Sequence, residues 1–222
     1  MSPAPVLPCP RPAHDALEGR YARLEPLSAA HCEDLFRASS GDGAQARFAY
    51  LFDDPPADLA QMQAWIARAA ATQDQLYFAV IDGATGEAGG RQALMRIAPE
   101  HGVIEIGNIL WGPAIARTRV ATEAFFLAAR YVFDELGYRR FEWKCNDLNE
   151  PSKAAARRFG LTFEGVFRQH MWVKGANRDT AWFSIIDREW PAIRAAFERW
   201  LEPANFDSQG GQQSKLQATS GA

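Results

Sequence analysis

The sequence contains no run of about 18 apolar residues, and Met1 to Asp15 lacks both a basic and an apolar stretch, so neither a membrane span nor a secretory leader is expected. Cysteine is scarce. Cys9, Cys32 and Cys145 are an odd, widely spaced set without a C-x-x-C, which argues against a disulfide framework and a thiolate zinc site and makes the cytoplasm the expected compartment. His14 and His101 fall in an arm and a turn, and His31 and His170 lack metal-ligand spacing, so no metal is expected. Basic charge is not in excess: 24 Lys and Arg face 27 Asp and Glu, a net charge of -3, which makes nucleic acid an unlikely principal ligand. Neither a GxxxxGK[ST] loop nor a GxGxxG after a strand is present, which weakens the common nucleotide-binding readings.

What is there is the composition of one globular domain: 222 residues, 47% hydrophobic and 12% aromatic. Five prolines (Pro3, Pro5, Pro8, Pro10, Pro12) make residues 1–16 an extended, flexible arm, and the Gly/Ser/Gln-rich stretch 202–222 reads as a disordered tail. Between them, Tyr21 to Leu24 reads as a strand ended by Pro26, Ser28 opens a helix carrying Cys32, Leu35 and Phe36, and Gly41 and Gly43 break it. Asp54 with Pro55 and Pro56 starts a second helix with a Leu59, Met62, Ile66, Ala69 stripe. Leu76 to Ile81 and Arg91 to Ala98 form a hairpin around a Gly-rich turn ending at Gly90; Phe163 to Val173 and Arg178 to Ile186 form another. Asp187 caps a last helix, Glu189 to Leu201.

The most informative stretch is Val103 to Gly137, where the apolar period changes at one short loop. Val103 to Trp111 is a strand; from Val120 the apolar residues Ala124, Leu127, Ala128, Tyr131 and Val132 recur at helical spacing until Gly137. A strand passing through Gly112–Arg119 into a helix gathers unpaired N–H groups and the positive end of the helix dipole at one place. With Arg117 and Arg119 beside it, that place suits a pyrophosphate.

This stretch resembles the GNAT acyltransferase superfamily, and Phe141 to Asn146, the N-x-x-S of Asn149-Glu150-Pro151-Ser152, Ala154 to Leu161 and Phe163-Glu164-Gly165 resemble its ribosomal-protein N-terminal acetyltransferase (RimJ/RimL-like) branch, over about residues 18–201. The resemblance implies an α/β fold with a mixed, mostly antiparallel seven-stranded sheet splayed between its fourth and fifth strands and helices on both faces, the domain spanning 17–201. It implies N-acyl transfer, first of all of acetyl from acetyl-CoA, to a primary amine of a protein N-terminus or small molecule. Asn108, Ile109, Leu110 and Trp111 would align pantetheine; Arg117, Thr118, Arg119, Val120, Ala121 and Thr122 would hold pyrophosphate; Asn149 would contact the cofactor arm or order its helix. The family loop is usually Q/R-x-x-G-x-G/A, where this chain has Ala116, Arg119 and Ala121, and Arg119 takes the room of a glycine. The RT-x-x-x-TEA form, Arg117 to Ala124, resembles a bacterial subgroup of the branch.

Glu105, mid-strand among apolar residues, is the resemblance's general base, with a structurally paired glutamate as the alternative. Ser152 is its acid for the coenzyme A thiolate, with a helix-start hydrogen-bonding role as the alternative. Arg157 and Arg158 reach an adenosine phosphate or form a solvated face; Cys145 is a buried packing residue; His170 lines the acceptor side or is structural; Trp172, Trp182, Trp190 and Trp200 are core or acceptor wall. A succinyl-CoA donor, a non-catalytic CoA-binding module, the acceptor's identity and a homodimer stay open.

Overall fold

The computed structural model describes residues 6–218, and the chain divides into two compact units. The first comprises Pro12–Ile97 and Ile106–Ala128; the second comprises Met1–Arg11, Ala98–Glu105 and Ala129–Ala222.

In the first unit, β1 (Leu17–Glu18), β2 (Ala22–Pro26), β3 (Gln75–Asp82), β4 (Ala88–Ala98) and β5 (Val103–Trp111) are hydrogen-bonded in that order, β1 through β4 antiparallel. Its helices are α1 (Cys32–Ser39), α2 (Ala44–Phe48), α3 (Leu59–Ala71) and the first turns of α4 (Arg119–Arg130). Leu27, Leu35, Met62, Ile66, Ala79 and Ile81 form a shared core, so the helical stripe of α3 does bury as its spacing implies. α3 starts later than Asp54 because Asp58 is the cap: its carboxylate accepts the Gln61 N–H at 2.8 Å. α2 was not foreseen between the glycines and the prolines.

Gly90 lies inside β4, not in the turn expected there. A Cβ on it would stand 2.4 Å from Leu110 O and 3.0 Å from Trp111 Cα, so the backbone of β5 occupies the space of a side chain.

In the second unit the order is β5, β6 (Arg140–Asn146), β8 (Ala176–Ile186) and β7 (Thr162–Val173), with β6–β8 and β7–β8 antiparallel; α5 (Glu150–Arg158) and α6 (Trp190–Trp200) complete it. Strand alternation sorts the side chains into two faces. Phe141, Trp143, Cys145, Ala181, Phe183 and Ile185 are buried, and Phe159 bridges Trp143 and Phe197 of α6 through ring contacts at 6.2 and 6.0 Å. Phe141, Phe183 and Phe197 are fully buried, each contributing about 1.5–3 kcal/mol. The opposite face carries Arg140, Glu142 and Lys144 of β6 across from Ile186, Ser184 and Trp182 of β8. Trp190 and Trp200 are core residues as expected, whereas Trp172 is 75% exposed.

Among the described residues there are eight strands where seven were expected; the addition is the two-residue β1. The fold is a mixed α/β one, mostly antiparallel in its strand pairing.

Both ends of the described chain are packed more than their composition suggests. Cys9 is buried, its N–H donating to Pro99 O at 3.0 Å, and His14 meets Phe78 edge-on at 4.9 Å. After α6, Phe206 packs edge-on against Trp200 at 5.0 Å, and Leu216 and Ala218 are buried. A few apolar anchors suffice for this where the average composition is polar. Residues 1–5 and 219–222 of the expected arm and tail lie outside the described residues.

Candidate active site

In the first unit, the loop after β5 closes on itself: Gly112 O accepts the Ile115 and Ala116 N–H groups, and Ile115 O accepts the Thr118 N–H and hydroxyl. Arg117 has φ +64, a left-handed conformation that turns the chain sharply before the helix. Thr118 caps α4, its Oγ1 accepting the Val120 N–H at 3.1 Å, and its carbonyl accepts both the N–H and the hydroxyl of Thr122. The Val120 and Thr122 N–H groups expected on phosphate thus have partners within the loop and helix. The Arg119 guanidinium lies 4.4 Å over the Tyr21 ring, so it turns toward the segment before β2. Ala121 is buried.

One turn on, Glu123 is 5% exposed and accepts the backbone N–H groups of Arg20, Tyr21 and Ala22, the first at 3.0 Å and the last at 2.7 Å. A Cβ on Gly19 would stand 2.7 Å from that carboxylate. The glutamate of the TEA sequence therefore fastens the β1–β2 turn to the helix that follows the loop.

Along β5, Asn108 has φ +51 and its amide donates to Gln75 Oε1 and Tyr77 OH, both at 2.7 Å. Asparagine tolerates this conformation, which interrupts strand alternation at that residue. Burial pushes the Tyr77 hydroxyl above its usual range. Leu110 is buried, Ile109 half-buried, and the Trp111 indole donates to Gln92, which in turn donates to Ala124 O of α4.

Beside these residues a cleft of about 280 Å³ is lined by Asp53, Pro55, Met62, Trp65, Arg68 and Arg91. Arg91 is 4% exposed, bonds Asp53 at 2.6 Å and covers the Trp65 ring at 3.8 Å. The cleft's walls come chiefly from α3, the loop before it and β4.

In the second unit, Glu105 is 3% exposed and its Oε2 is 2.8 Å from Lys144 Nζ. Lys144 also pairs with Glu142 at 2.8 Å and lies 3.8 Å over the Trp182 ring. Glu142 continues to Arg140, and Arg140 to Glu164 through two bonds, at 2.7 and 2.5 Å. The result is a ladder of alternating charge, Glu164, Arg140, Glu142, Lys144, Glu105, whose side-chain exposure falls from 38% to 4% along its length. Glu105 is therefore ion-paired to Lys144. Lys144 and Glu142 were missed; the signal was the charge at every second residue of a strand otherwise apolar.

The ladder has a pH signature at its rim. Hydrogen bonding to Arg140 holds the Glu164 carboxyl below its ordinary value of 4.5. Its contribution is therefore complete above that ordinary value and is lost as pH falls through the lowered one. The urea midpoint is expected to fall from about pH 5 to about pH 3, with a shallower slope in Glu164→Gln. Equal slopes would remove Glu164 from the account.

Ser152 Oγ accepts the Trp143 indole N–H at 3.0 Å. An indole only donates, so the serine proton is left to be donated elsewhere. Burial raises the Cys145 thiol, while a hydrogen bond with Ser152 opposes that rise. Asn149 is the cap of α5, accepting the Ser152 N–H at 3.1 Å, which is the alternative stated for it. Arg158 is half-buried and packs over Trp200 at 5.0 Å, while Arg157 is exposed and lies 5.7 Å over Phe183. Among the described residues no group of three or more His, Cys, Asp or Glu could hold a metal ion, and no helix is long and apolar enough to cross a membrane.

Residues 22–162 match the model of the acetyltransferase (GNAT) domain. The chain belongs to the GNAT acetyltransferase family. It is an acyltransferase, and solved GNAT proteins resemble it along most of its length. A GCN5-related N-acetyltransferase from Brucella melitensis is 57% identical, with a TM-score of 0.93 over 95% of this chain and 96% of that one. A Chromobacterium violaceum protein assigned to GNAT acetyltransferases is 41% identical, with a TM-score of 0.77 over 83% of this chain and 92% of that one. YdaF of Bacillus subtilis, a curated protein named for ribosomal N-acetyltransfer, is 35% identical over 60 residues, 27% of this chain and 33% of its own length. The chain thus matches about a third of that relative, in keeping with the RimJ/RimL-like branch. In this GNAT chain the loop departs from the superfamily pattern at Arg119, and the Tyr21 contact gives that arginine a local partner.

Proposed function

We propose that the protein transfers acetyl from acetyl-CoA to a primary amine, on a protein N-terminus or a small molecule. The observation that carries this reading is the β5–loop–α4 passage, with the left-handed Arg117 and the Thr118 cap at the start of a helix, in a chain of GNAT membership. Arg117, Thr118 and Arg119, with the first turn of α4, would take the pyrophosphate; Asn108 to Trp111 would align the pantetheine; Asn149 would contact the cofactor arm or order the start of α5. Residues 17–201 are taken as the acyltransferase domain.

The amine nitrogen attacks the thioester carbonyl, the N–C bond forms, and collapse of the tetrahedral intermediate breaks the C–S bond. Ser152 gives its proton to the departing thiolate and is reprotonated from solvent. Proximity and a backbone N–H of β5 on the carbonyl oxygen would supply much of the rate. Glu105, which meets Lys144 at 2.8 Å, is the proposed base and would act on the acceptor ammonium through water. The cytoplasm is the proposed compartment, a reading that three free, buried cysteines support.

The test is mass detection of acetyl transfer from acetyl-CoA to a panel of peptides and small amines, with Ser152→Ala beside wild type. Thiolates leave readily, so the variant is expected to lose about tenfold in kcat, below the usual range for proton transfer, with donor affinity kept. Donor binding without transfer to any amine would favour a CoA-binding module.

A further inference from the structure

Among the side chains lining the cleft of the first unit, Arg91 is charged and yet only 4% exposed. β4 alternates here: Gln92 turns to α4, donating to Ala124 O at 2.9 Å, so Arg91 beside it turns to the opposite face, where α3 lies. Its Nη2 donates to Asp53 Oδ2 at 2.6 Å and its guanidinium covers the Trp65 ring at 3.8 Å. A guanidinium is a planar fork of N–H donors, and the bond to Asp53 engages one terminal nitrogen of it. Burying such a fork is costly until its donors are met, so an anion entering the cleft gains from a partner already dehydrated. Arg68, in the last turn of α3, adds a second cation to the same cleft from its exposed side. The carboxylates present do not bar an anion: Asp53 is engaged by Arg91, and Asp54 is exposed, where water and salt screen its charge. Pro55, Met62 and Trp65 give the cleft an apolar wall.

The cleft adjoins the strand proposed to align the pantetheine, and both belong to the first unit. Trp65 meets Tyr77 edge-on at 5.6 Å, and the Tyr77 hydroxyl accepts the Asn108 amide at 2.7 Å. Gly90, the chain neighbour of Arg91, packs so closely on β5 that a Cβ there would stand 2.4 Å from Leu110 O. Arg91 is thus tied to Asn108 through two rings and to Leu110 through its own backbone. The cleft, about 280 Å³, lies at the lower edge of the roughly 300–1,000 Å³ of drug-sized sites, which suits one body of amino-acid size.

We propose that this cleft takes an acceptor that carries a carboxylate beside its amine, a free amino acid with an apolar side chain. The carboxylate lies on Arg91 and Arg68 and the apolar body against Pro55, Met62 and Trp65. The assignment rests on the acetyl-transfer reading above and narrows its acceptor. Bonds form and break as given there, the products are the N-acetyl amino acid and free coenzyme A, and the cleft's residues hold the acceptor without touching the reacting atoms.

The experiment uses the full chain and acetyl-CoA with leucine and leucinamide as acceptors, the amide standing for an amine whose carboxyl is already in a peptide bond. Rates are expressed per unprotonated amine, because the two differ in basicity. Leucine is expected to show a kcat/KM about 100-fold above that of leucinamide, which leaves the guanidinium without an anion. Arg68→Gln changes an exposed residue and should raise KM for leucine about tenfold with kcat kept. Arg91→Lys keeps the charge against Asp53 but not the fork, and should narrow the preference for leucine by about tenfold or more. A merely structural loss would lower both acceptors alike. Calorimetric titration of leucine into the protein loaded with free coenzyme A reads the same site without turnover, and affinity should weaken about tenfold in Arg68→Gln. Equal or better use of leucinamide, or an unchanged leucine KM in Arg68→Gln, with acetyl-CoA binding intact, would overturn the assignment alone. Failure of the wild type to bind acetyl-CoA would overturn the acetyl-transfer reading and this assignment with it.

Discussion

Replacing Lys144 with methionine is expected to cost about 3–5 kcal/mol of folding stability, the typical penalty for removing one partner of a buried ion pair. Glu105 and Glu142 both lie 2.8 Å from its ammonium, and all three side chains are nearly inaccessible. Methionine fills the volume and stays over Trp182, so the loss reads the charge and not a cavity. The companion variant Lys144→Met/Glu105→Leu removes the stranded carboxylate and should recover most of the loss, because a buried pair replaced by apolar groups is often close to neutral. Urea unfolding of the four proteins in this cycle measures the coupling. A single-variant loss below about 1 kcal/mol would mean that the pair is not buried as described.

The second large effect belongs to Glu123. Glu123→Ala leaves the N–H groups of Arg20, Tyr21 and Ala22 without their carboxylate, and Ala22 N–H is buried. Three lost bonds to a charged acceptor predict about 3–5 kcal/mol. Glu123→Gln keeps one accepting oxygen and should lose roughly half as much. Hydrogen exchange separates this from general weakening: the amides of residues 20–22 should lose protection in Glu123→Ala beyond the global change. Unchanged protection there would contradict the clamp.

Periodicity carried the reading far where neighbours in sequence are also neighbours in space. The β5 boundaries and the change to helix after the loop follow from local pattern, as do both hairpins, and α6 lies within one residue of its expected limits at each end. The Ser28 region is subtler: a 3-10 turn, Ala29–His31, leads into α1. What local pattern could not carry was pairing across distance. Lys144 meets Glu105 only because β6 lies beside β5, and Glu123 meets residues 20–22 only because α4 returns to the start of the sheet. Asn108 is intermediate: its residue type permits a left-handed break, but apolar flanks on both sides concealed it. The resemblance to known acyltransferases supplied what neither pattern nor pairing does, the chemistry proposed for the loop.

Calorimetric titration with acetyl-CoA, repeated with succinyl-CoA, free coenzyme A and ATP, tests the central claim most directly. The account predicts micromolar binding of acetyl-CoA, silence from ATP, and weakening by about tenfold or more in Arg117→Glu, which places negative charge against the pyrophosphate. Tighter binding of succinyl-CoA would redirect the donor. No binding of any coenzyme A species to the wild-type protein would contradict the account.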